Sequence, residues 1–390
     1  MKTHYSGTAL IVAIMLCLLL VVPAVPKSHE KATEGRTDEQ WERVHYQEGQ
    51  KAFRTVYSAR FAPGKDAHLR WLWLGDESGA VLFTLLDSGS QASFSERDRL
   101  VFPLFKSEIQ GPRGADKQTP TQTREMFFDD DNGRGYLLRG NTLYASQDVG
   151  FRWRSLHGVI KAPDGSEATL FNLATTPSRK ACMVGMYSKP MQVTNSLVLC
   201  SEKQFDSQDA GWKERKVPSQ NQLFHVLFTD EQKGWIVGTF GTILTTNNGG
   251  KEWKPITRTE AHLFQAHFLN ENKGWIVGSG GTILKTRDGG DDWEEVRLDY
   301  ADQLSTIAFR SIAFVDKHRG WIVGDKGTIL YTDNGGDDWR LQRAPTAGEG
   351  DLFAVFADDT FCWAAGGVPT DPSNPAKKVS RVLWRYQWKK

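Results

Sequence analysis

The chain has 390 residues, 39% of them hydrophobic, with 48 basic against 47 acidic side chains and a net charge of +1. That fraction suits an ordinary globular protein, and the charge balance gives no reason to expect nucleic acid or an anionic membrane as the main partner. The first 25 residues stand apart. Lys2 and His4 precede an unbroken apolar run from Ala9 to Val22, closed by Pro23-Ala24-Val25-Pro26. The run falls short of the roughly 20 residues a spanning helix prefers. A signal peptide cleaved near Ala24 is therefore expected, with retention as an N-terminal membrane anchor as the alternative. Either makes the protein exported, in the periplasm or on the outer face of the inner membrane. Residues 26–36 read as a polar linker, and 37–390 as a single domain.

That domain is built on a repeat. Three segments are near-copies: GWIVGTFGTILTTNNGGKEW from Gly234, GWIVGSGGTILKTRDGGDDW from Gly274 and GWIVGDKGTILYTDNGGDDW from Gly320. Their tryptophans, Trp235, Trp275 and Trp321, are 40 and 46 residues apart. Such a period, with several short strands per unit, marks a β-propeller blade. In each copy two β-rich runs flank a two-residue gap bounded by glycines, which is a hairpin signal. An upstream run (223–228, 263–268, 309–314) supplies a strand before the hairpin, and the last Trp opens a fourth after it.

Weaker copies fall into place in chain order. Residues 37–46, TDEQWERVHY, resemble the GGDDWEEVRL that opens a fourth strand at 289–298, but no hairpin precedes them. Trp41–Tyr46 is therefore expected to be the outer strand of the last blade, closing the ring. Hairpins follow at 73–84, at 135–153, and at 181–185 with 196–201, ahead of the three clear copies; another comes at 362–366 with 380–385. The expected fold is all-β, a seven-bladed propeller of four-stranded antiparallel blades. Tryptophans 73, 235, 275, 321 and 363 hold the second-strand position, and 41, 153, 212, 253, 293 and 339 the position opening the fourth strand.

Between the third and fourth strands lies the most specific pattern: SQDVGFRW, TNNGGKEW, TRDGGDDW and TDNGGDDW. A short acceptor side chain (Asp148, Asn248, Asp288, Asn334) can take hydrogen bonds from amides of its own turn. The glycine allows a left-handed backbone, and the aromatic (Trp153, Trp253, Trp293, Trp339) packs between blades. These residues are read as structural, not catalytic. The pattern resembles the Asp-box of the bacterial neuraminidase (BNR) repeats. The whole repeat resembles the photosystem II assembly and stability factor family of BNR-like seven-bladed propellers, strongly over 223–340 and by pattern elsewhere. The resemblance implies a non-enzymatic assembly factor that binds a newly made membrane subunit, and the chain is read as a relative from a non-photosynthetic bacterium.

Two other functions compete. Asp-boxes also mark sialidases, but the Arg-Ile-Pro stretch that carries a sialidase's first arginine is absent, and no nucleophile–base pairing stands out. A glycan- or peptide-binding module is the other alternative. The nine histidines show no metal spacing, and His225 and His267 on inner strands read as structural. No metal or cofactor is expected. The acidic run Asp129-Asp130-Asp131-Asn132 aligns with strand-linking turns such as Asp230-Glu231, so a solvated turn is the reading. Cys182 and Cys200 sit on the paired strands of one hairpin, whose register the inserted loop leaves open. A bridge and two buried thiols both fit, and buried thiols are preferred.

Insertions gather on the face of hairpin tips and inter-blade links: 93–123, 156–167, 186–195, 297–308 and 367–379. Loops on a rigid scaffold are where binding is built. The candidate binding residues there are Arg97, Arg99, Lys106, Arg113, Lys117, Lys189, Lys377 and Lys378, acting from a monomer on a protein partner, a membrane protein or complex, and not on a small molecule or nucleic acid.

Overall fold

The computed structural model describes residues 41–43, 56–63, 69–76, 81–87, 123–129, 134–147, 153–160, 168–187, 196–207, 209–256, 259–343, 346, 349–357, 361–369 and 379–387. Contacts divide the chain into 1–40 and Trp41–Lys390; the apolar run 9–22 lies outside the described residues. Among those described, no helix is long and apolar enough to cross a membrane.

A two-residue strand, β1 (Glu42–Arg43), comes first, followed by a sheet of β2 (Val56–Pro63), β3 (Leu69–Asp76) and β4 (Val81–Asp87). The second sheet is β5 (Thr123–Asp129), β6 (Arg134–Arg139), β7 (Thr142–Ser146) and β8 (Arg154–Val159). The third is β9 (Ala168–Thr175), β10 (Ala181–Tyr187), β11 (Ser196–Ser201) and β12 (Trp212–Glu214). The near-identical copies form the next three. These are β13 (Leu223–Phe228), β14 (Gly234–Gly238), β15 (Ile243–Thr246) and β16 (Lys254–Ile256); then β17 (Leu263–Phe268), β18 (Gly274–Gly278), β19 (Ile283–Thr286) and β20 (Glu294–Glu295); then β21 (Phe309–Phe314), β22 (Gly320–Gly324), β23 (Ile329–Thr332) and β24 (Arg340–Arg343). The last sheet takes β25 (Asp351–Ala357), β26 (Phe361–Pro369), β27 (Val379–Gln387) and, on its outer edge, β1.

Among the described residues all pairings are antiparallel and, β1 on β27 apart, between successive strands; the first strands β2, β5, β9, β13, β17, β21 and β25 neighbour one another in that order, with β25 beside β2. This is a propeller of four-stranded antiparallel blades. The sequence predicts seven such blades. Six sheets carry four strands and the sheet β2–β4 carries three, so six blades are complete among the described residues. Residues 88–122, where a fourth strand of that sheet would fall, lie outside them. Of the outer strand expected over Trp41–Tyr46, the described part pairs Glu42 with Arg385 and Arg43 with Trp384, and 44–46 lie outside the described residues. Short outer strands are general here, since β12, β16 and β20 have only two or three residues. A strand with one neighbour gains half the ladder of an inner one.

The second strands explain the sequence pattern. All five residues of each GWIVG are buried, as a strand covered on both faces requires. Trp235 stacks on Phe268 of the next blade at 4.1 Å and Trp275 on Phe314 at 4.2 Å. The box of that next blade closes over the same ring. A Cβ added at Gly336 would stand 2.5 Å from Trp275 Nε1, and one at Gly290 would likewise collide with Trp235 Nε1. Both glycines also have positive φ. The paired glycines of the box are therefore where one blade's turn meets the preceding blade's tryptophan.

Cys182 occupies the tryptophan position of its own blade, opposite Cys200 just as Trp235 is opposite Thr245. The preferred reading of two buried thiols is corrected: Cys182 and Cys200 form a disulfide, and Cys362 is buried outside that bridge. The bridge takes the tryptophan's place under the next box, where a Cβ on Gly250 would come 2.7 Å from Cys182 Sγ. Replacing both cysteines with serine removes cross-link and filler together. Denaturant titration should show a loss of about 3 kcal/mol; an unchanged midpoint would overturn this role.

Candidate functional site

The boxes form one end of each blade. Thr246 Oγ1 accepts from Gly250 N at 3.1 Å, and Asn248 Oδ1 accepts from Glu252 N at 3.0 Å. In the next copy Asp288 Oδ1 accepts from the amides of Asp291 and Asp292 at 3.1 and 3.0 Å. Asn334 Oδ1 does the same for Asp337 and Asp338. These amides, Asp292 first, and the Thr286 hydroxyl hold the Asp288 carboxyl below its ordinary range. Asn in the sister copies accepts the same bonds uncharged, so the turn asks for an acceptor, not a charge. Trp153, Trp253, Trp293 and Trp339 are buried; Asp148 lies outside the described residues. The turn joining first and second strands sits at the same end. Gly249, Gly289 and Gly335 donate to Gln232, Asn272 and His318 carbonyls there, while Asp230 Oδ1 caps the amides of Gln232 and Lys233.

The box end carries one charged knot. Lys285, 3% exposed, contacts Asp337, with Lys273 at 3.7 Å and Arg287 at 3.5 Å from the same carboxylate oxygen. Burial first, then Lys273 and Arg287, draws the Lys285 ammonium down to about 8. Asp337 therefore does more than its surface position in the box pattern suggests.

The opposite end holds the hairpin tips and inter-blade links. Gly241 N donates to Ala261 O at 2.7 Å, and Gly281 N to Ile307 O at 2.8 Å, so each tip is tied to the link that follows its blade. Of the predicted insertions, 297–308 is described and forms a helical turn at Ala301–Leu304. Arg97, Arg99, Lys106, Arg113, Lys117, Lys189, Lys377 and Lys378 all lie outside the described residues.

Sequence reasoning missed a ring inside the channel. Each of the seven first strands breaks register within its first few residues, in a β-bulge. The residues skipped are Tyr57, Arg124, Phe171, Phe224, Phe264, Arg310 and Phe353. Five have described side chains, and these stack around the wall. Phe171 meets Phe224 at 5.9 Å and Phe224 meets Phe264 at 5.6 Å, while the Arg310 guanidinium lies 4.6 Å from Phe264 and 5.7 Å from Phe353. Arg310 is held by Asp325, with Nε donating at 2.8 Å. The next residue along reaches the neighbouring blade. Asn172 Oδ1 accepts from Val226 N at 3.0 Å, Gln265 Oε1 from Ile312 N at 2.7 Å, and Ser311 Oγ from Val355 N at 3.2 Å. The signal was a bulky or basic residue after the first apolar position, legible only once strands are aligned. Further along the wall a cavity of about 450 Å³ is lined by His225, Gln265, His267 and Glu271, among others. His267 is stacked on Phe314 at 5.6 Å, a packing role.

A family model described as Photosynthesis system II assembly factor YCF48 matches residues 205–300 and 256–359. Residues 205–359 are therefore similar to the BNR repeats of the photosystem II assembly factors. It is 42% identical over 48 residues to the chloroplastic photosystem II stability/assembly factor HCF136 of Cyanidioschyzon merolae, 12% of this chain and 11% of that protein. It is 30% identical over 76 residues to the photosystem II assembly protein Ycf48 of a Synechococcus strain, 19% of this chain and 23% of that protein. The chain thus matches about a tenth and a quarter of these relatives' lengths. Two solved structures share the fold at 15% identity. YCF48 bound to D1 peptide has a TM-score of 0.56 and aligns over 90% of this chain and 97% of its own; YCF48 from Cyanidioschyzon merolae has 0.55, over 88% and 98%.

Asp337→Ala should cost about 2 kcal/mol, because it strips the buried Lys285 of its contact. Asp291→Ala, at an 81% exposed carboxylate 3.6 Å from Lys233, should cost under about 0.5 kcal/mol. Equal losses in urea melts would overturn the distinction.

Proposed function

We propose that this protein is a non-enzymatic, exported propeller scaffold that binds a protein partner and serves as an assembly or stability factor for a membrane protein complex. The observation that carries it is the BNR repeat match over 205–359, supported by the fold shared with a YCF48 solved bound to D1 peptide. The partner meets the face of tips and links, through Arg97, Arg99, Lys106, Arg113, Lys117, Lys189, Lys377 and Lys378, with the box end serving stability. The apolar run 9–22 directs export, so the domain works in the periplasm or at the outer face of the inner membrane, as a monomer. The absent Arg-Ile-Pro stretch supports the non-enzymatic part, and purified protein is expected to leave sialoside reporters intact.

The test is affinity capture from solubilised membranes with the tagged chain. A defined membrane protein should be recovered by the wild type and lost with Arg97, Arg99 and Arg113 changed to Ala, and raised salt should weaken the binding. Recovery unaffected by these changes but abolished by Asp291→Ala with Asp292→Ala would place binding on the box end instead.

The same reading takes β2–β4 as a seventh blade and β1 as the strand that closes the ring, supported by the pairing of β1 with β27. Deleting residues 1–34 should then leave the melt intact, and deleting 1–48 should lower it. Equal midpoints would overturn closure.

A further inference from the structure

Among the described residues two large hydrophobic side chains are exposed, Phe240 at 67% and Tyr300 at 38%, and both belong to the face of tips and links. Phe240 sits at the tip of the β14–β15 hairpin with a left-handed backbone, φ 52°. Gly280 and Lys326 hold the same place in the next two hairpins, at φ 68° and 55°. A side chain with a Cβ adopts this region at some cost, and an exposed ring recovers little of it by burial. Neither turn geometry nor core packing asks for phenylalanine here.

The tip is nonetheless held firmly. Phe240 N donates to His262 Nδ1 at 3.1 Å, and the two rings meet edge-on at 4.9 Å. Thr242 Oγ1 donates to Thr239 O at 2.7 Å and accepts from Asn221 Nδ2 at 2.8 Å. An aromatic ring on a pinned turn loses little freedom when a partner covers it. Beside it runs a groove of about 310 Å³, lined by Pro218, Gln220, Asn221, Phe240, Pro255 and Ile256 among others, with no charged side chain among the described residues of the lining. A phosphate, a carboxylate or a nucleic acid would meet no cation among them. Apolar walls beside uncharged amides suit an apolar side chain carried on a neutral peptide backbone.

We propose that Phe240 and this groove are a docking site for an extended segment of a partner protein, which seats one large apolar side chain against Phe240 and Ile256. The proposal rests on the protein-binding reading and adds to it a neutral, aromatic anchor that the basic insertion residues do not supply.

Random twelve-residue peptides displayed on phage, selected on the full chain and then synthesised with a fluorophore, provide the probe. Anisotropy titrations compare the wild type with Phe240→Gly, Phe240→Lys and Tyr300→Ala. The two Phe240 changes copy the sister turns, so the melt should stay level or rise. Selected peptides should be rich in Leu, Ile, Phe or Trp and bind at least about tenfold more weakly to both Phe240 variants, as loss of an aromatic anchor implies. Binding should be unchanged in Tyr300→Ala and insensitive to salt. Peptides that bind wild type and both Phe240 variants equally overturn the groove while leaving the protein-binding reading standing. Acidic peptides whose affinity collapses in salt overturn the neutral occupant. Failure to enrich any peptide overturns the groove, and the membrane capture then decides the broader reading independently.

Discussion

The aromatic wedge between blades is the interaction on which the rest of this molecule depends. A propeller blade cannot bury both faces by itself, so each needs a neighbour to complete its core. Trp235 and Trp275, fully buried, fill the space between their own sheet and the next. Phe268 and Phe314 lie flat on them, and Trp293 and Trp339 meet those phenylalanines edge-on at 5.8 Å. Burying so large a ring is worth about 2 to 3 kcal/mol relative to leaving it in water. The close approach of Gly290 and Gly336 completes each socket. Box, hairpin and first strand are therefore one cooperative joint, distributed over two consecutive repeats.

Where the tryptophan is missing, the joint is rebuilt with other chemistry. Tyr136 takes the position in the β5–β8 blade, packing at 4.7 Å on Phe205 and hydrogen-bonding Asp206 at 3.0 Å. Asp206 also contacts Arg179. In the β9–β12 blade the Cys182–Cys200 bridge fills the socket. Two sulfurs occupy less space than an indole but stiffen the pair of strands that must support the next box. Oxidising compartments preserve such a bridge.

The two ends of the ring are built differently. At the box end, short turns are saturated by their own amides and side chains, and even the half-exposed Asp337 is committed to Lys285. At the other end the turns are tied to inter-blade links, and the chain tolerates insertions and an exposed Phe240. Inside, the bulges near the start of the first strands turn Phe171, Phe224, Phe264, Arg310 and Phe353 toward one another from blade to blade. A guanidinium stands between two phenylalanines in that series, which is the favourable arrangement for a cation against π-faces.

Local grammar carried most of the fold into the sequence. In the three clear copies the G-x-x-G spacing announced the hairpin, Thr-x-Asn/Asp-x-Gly the box, and tryptophans 40 and 46 residues apart the blade, because turns and caps are decided by residues close along the chain. The structural assignment of Asn248, Asp288 and Asn334 was legible for the same reason, since their partners lie within four residues. The pairing of Cys182 with Cys200 was not, because it depends on strand register across an inserted loop. Nor was the engagement of Asp337 by a lysine 52 residues away, the stacking of Phe171, Phe224, Phe264, Arg310 and Phe353, or the isolation of Phe240 in water. Those are relations between neighbouring blades. Sequence determined the repeating unit by short-range hydrogen bonding and hydrophobic period, and only tertiary structure decided which side chains the packing of one unit against the next would bury, pair or leave exposed.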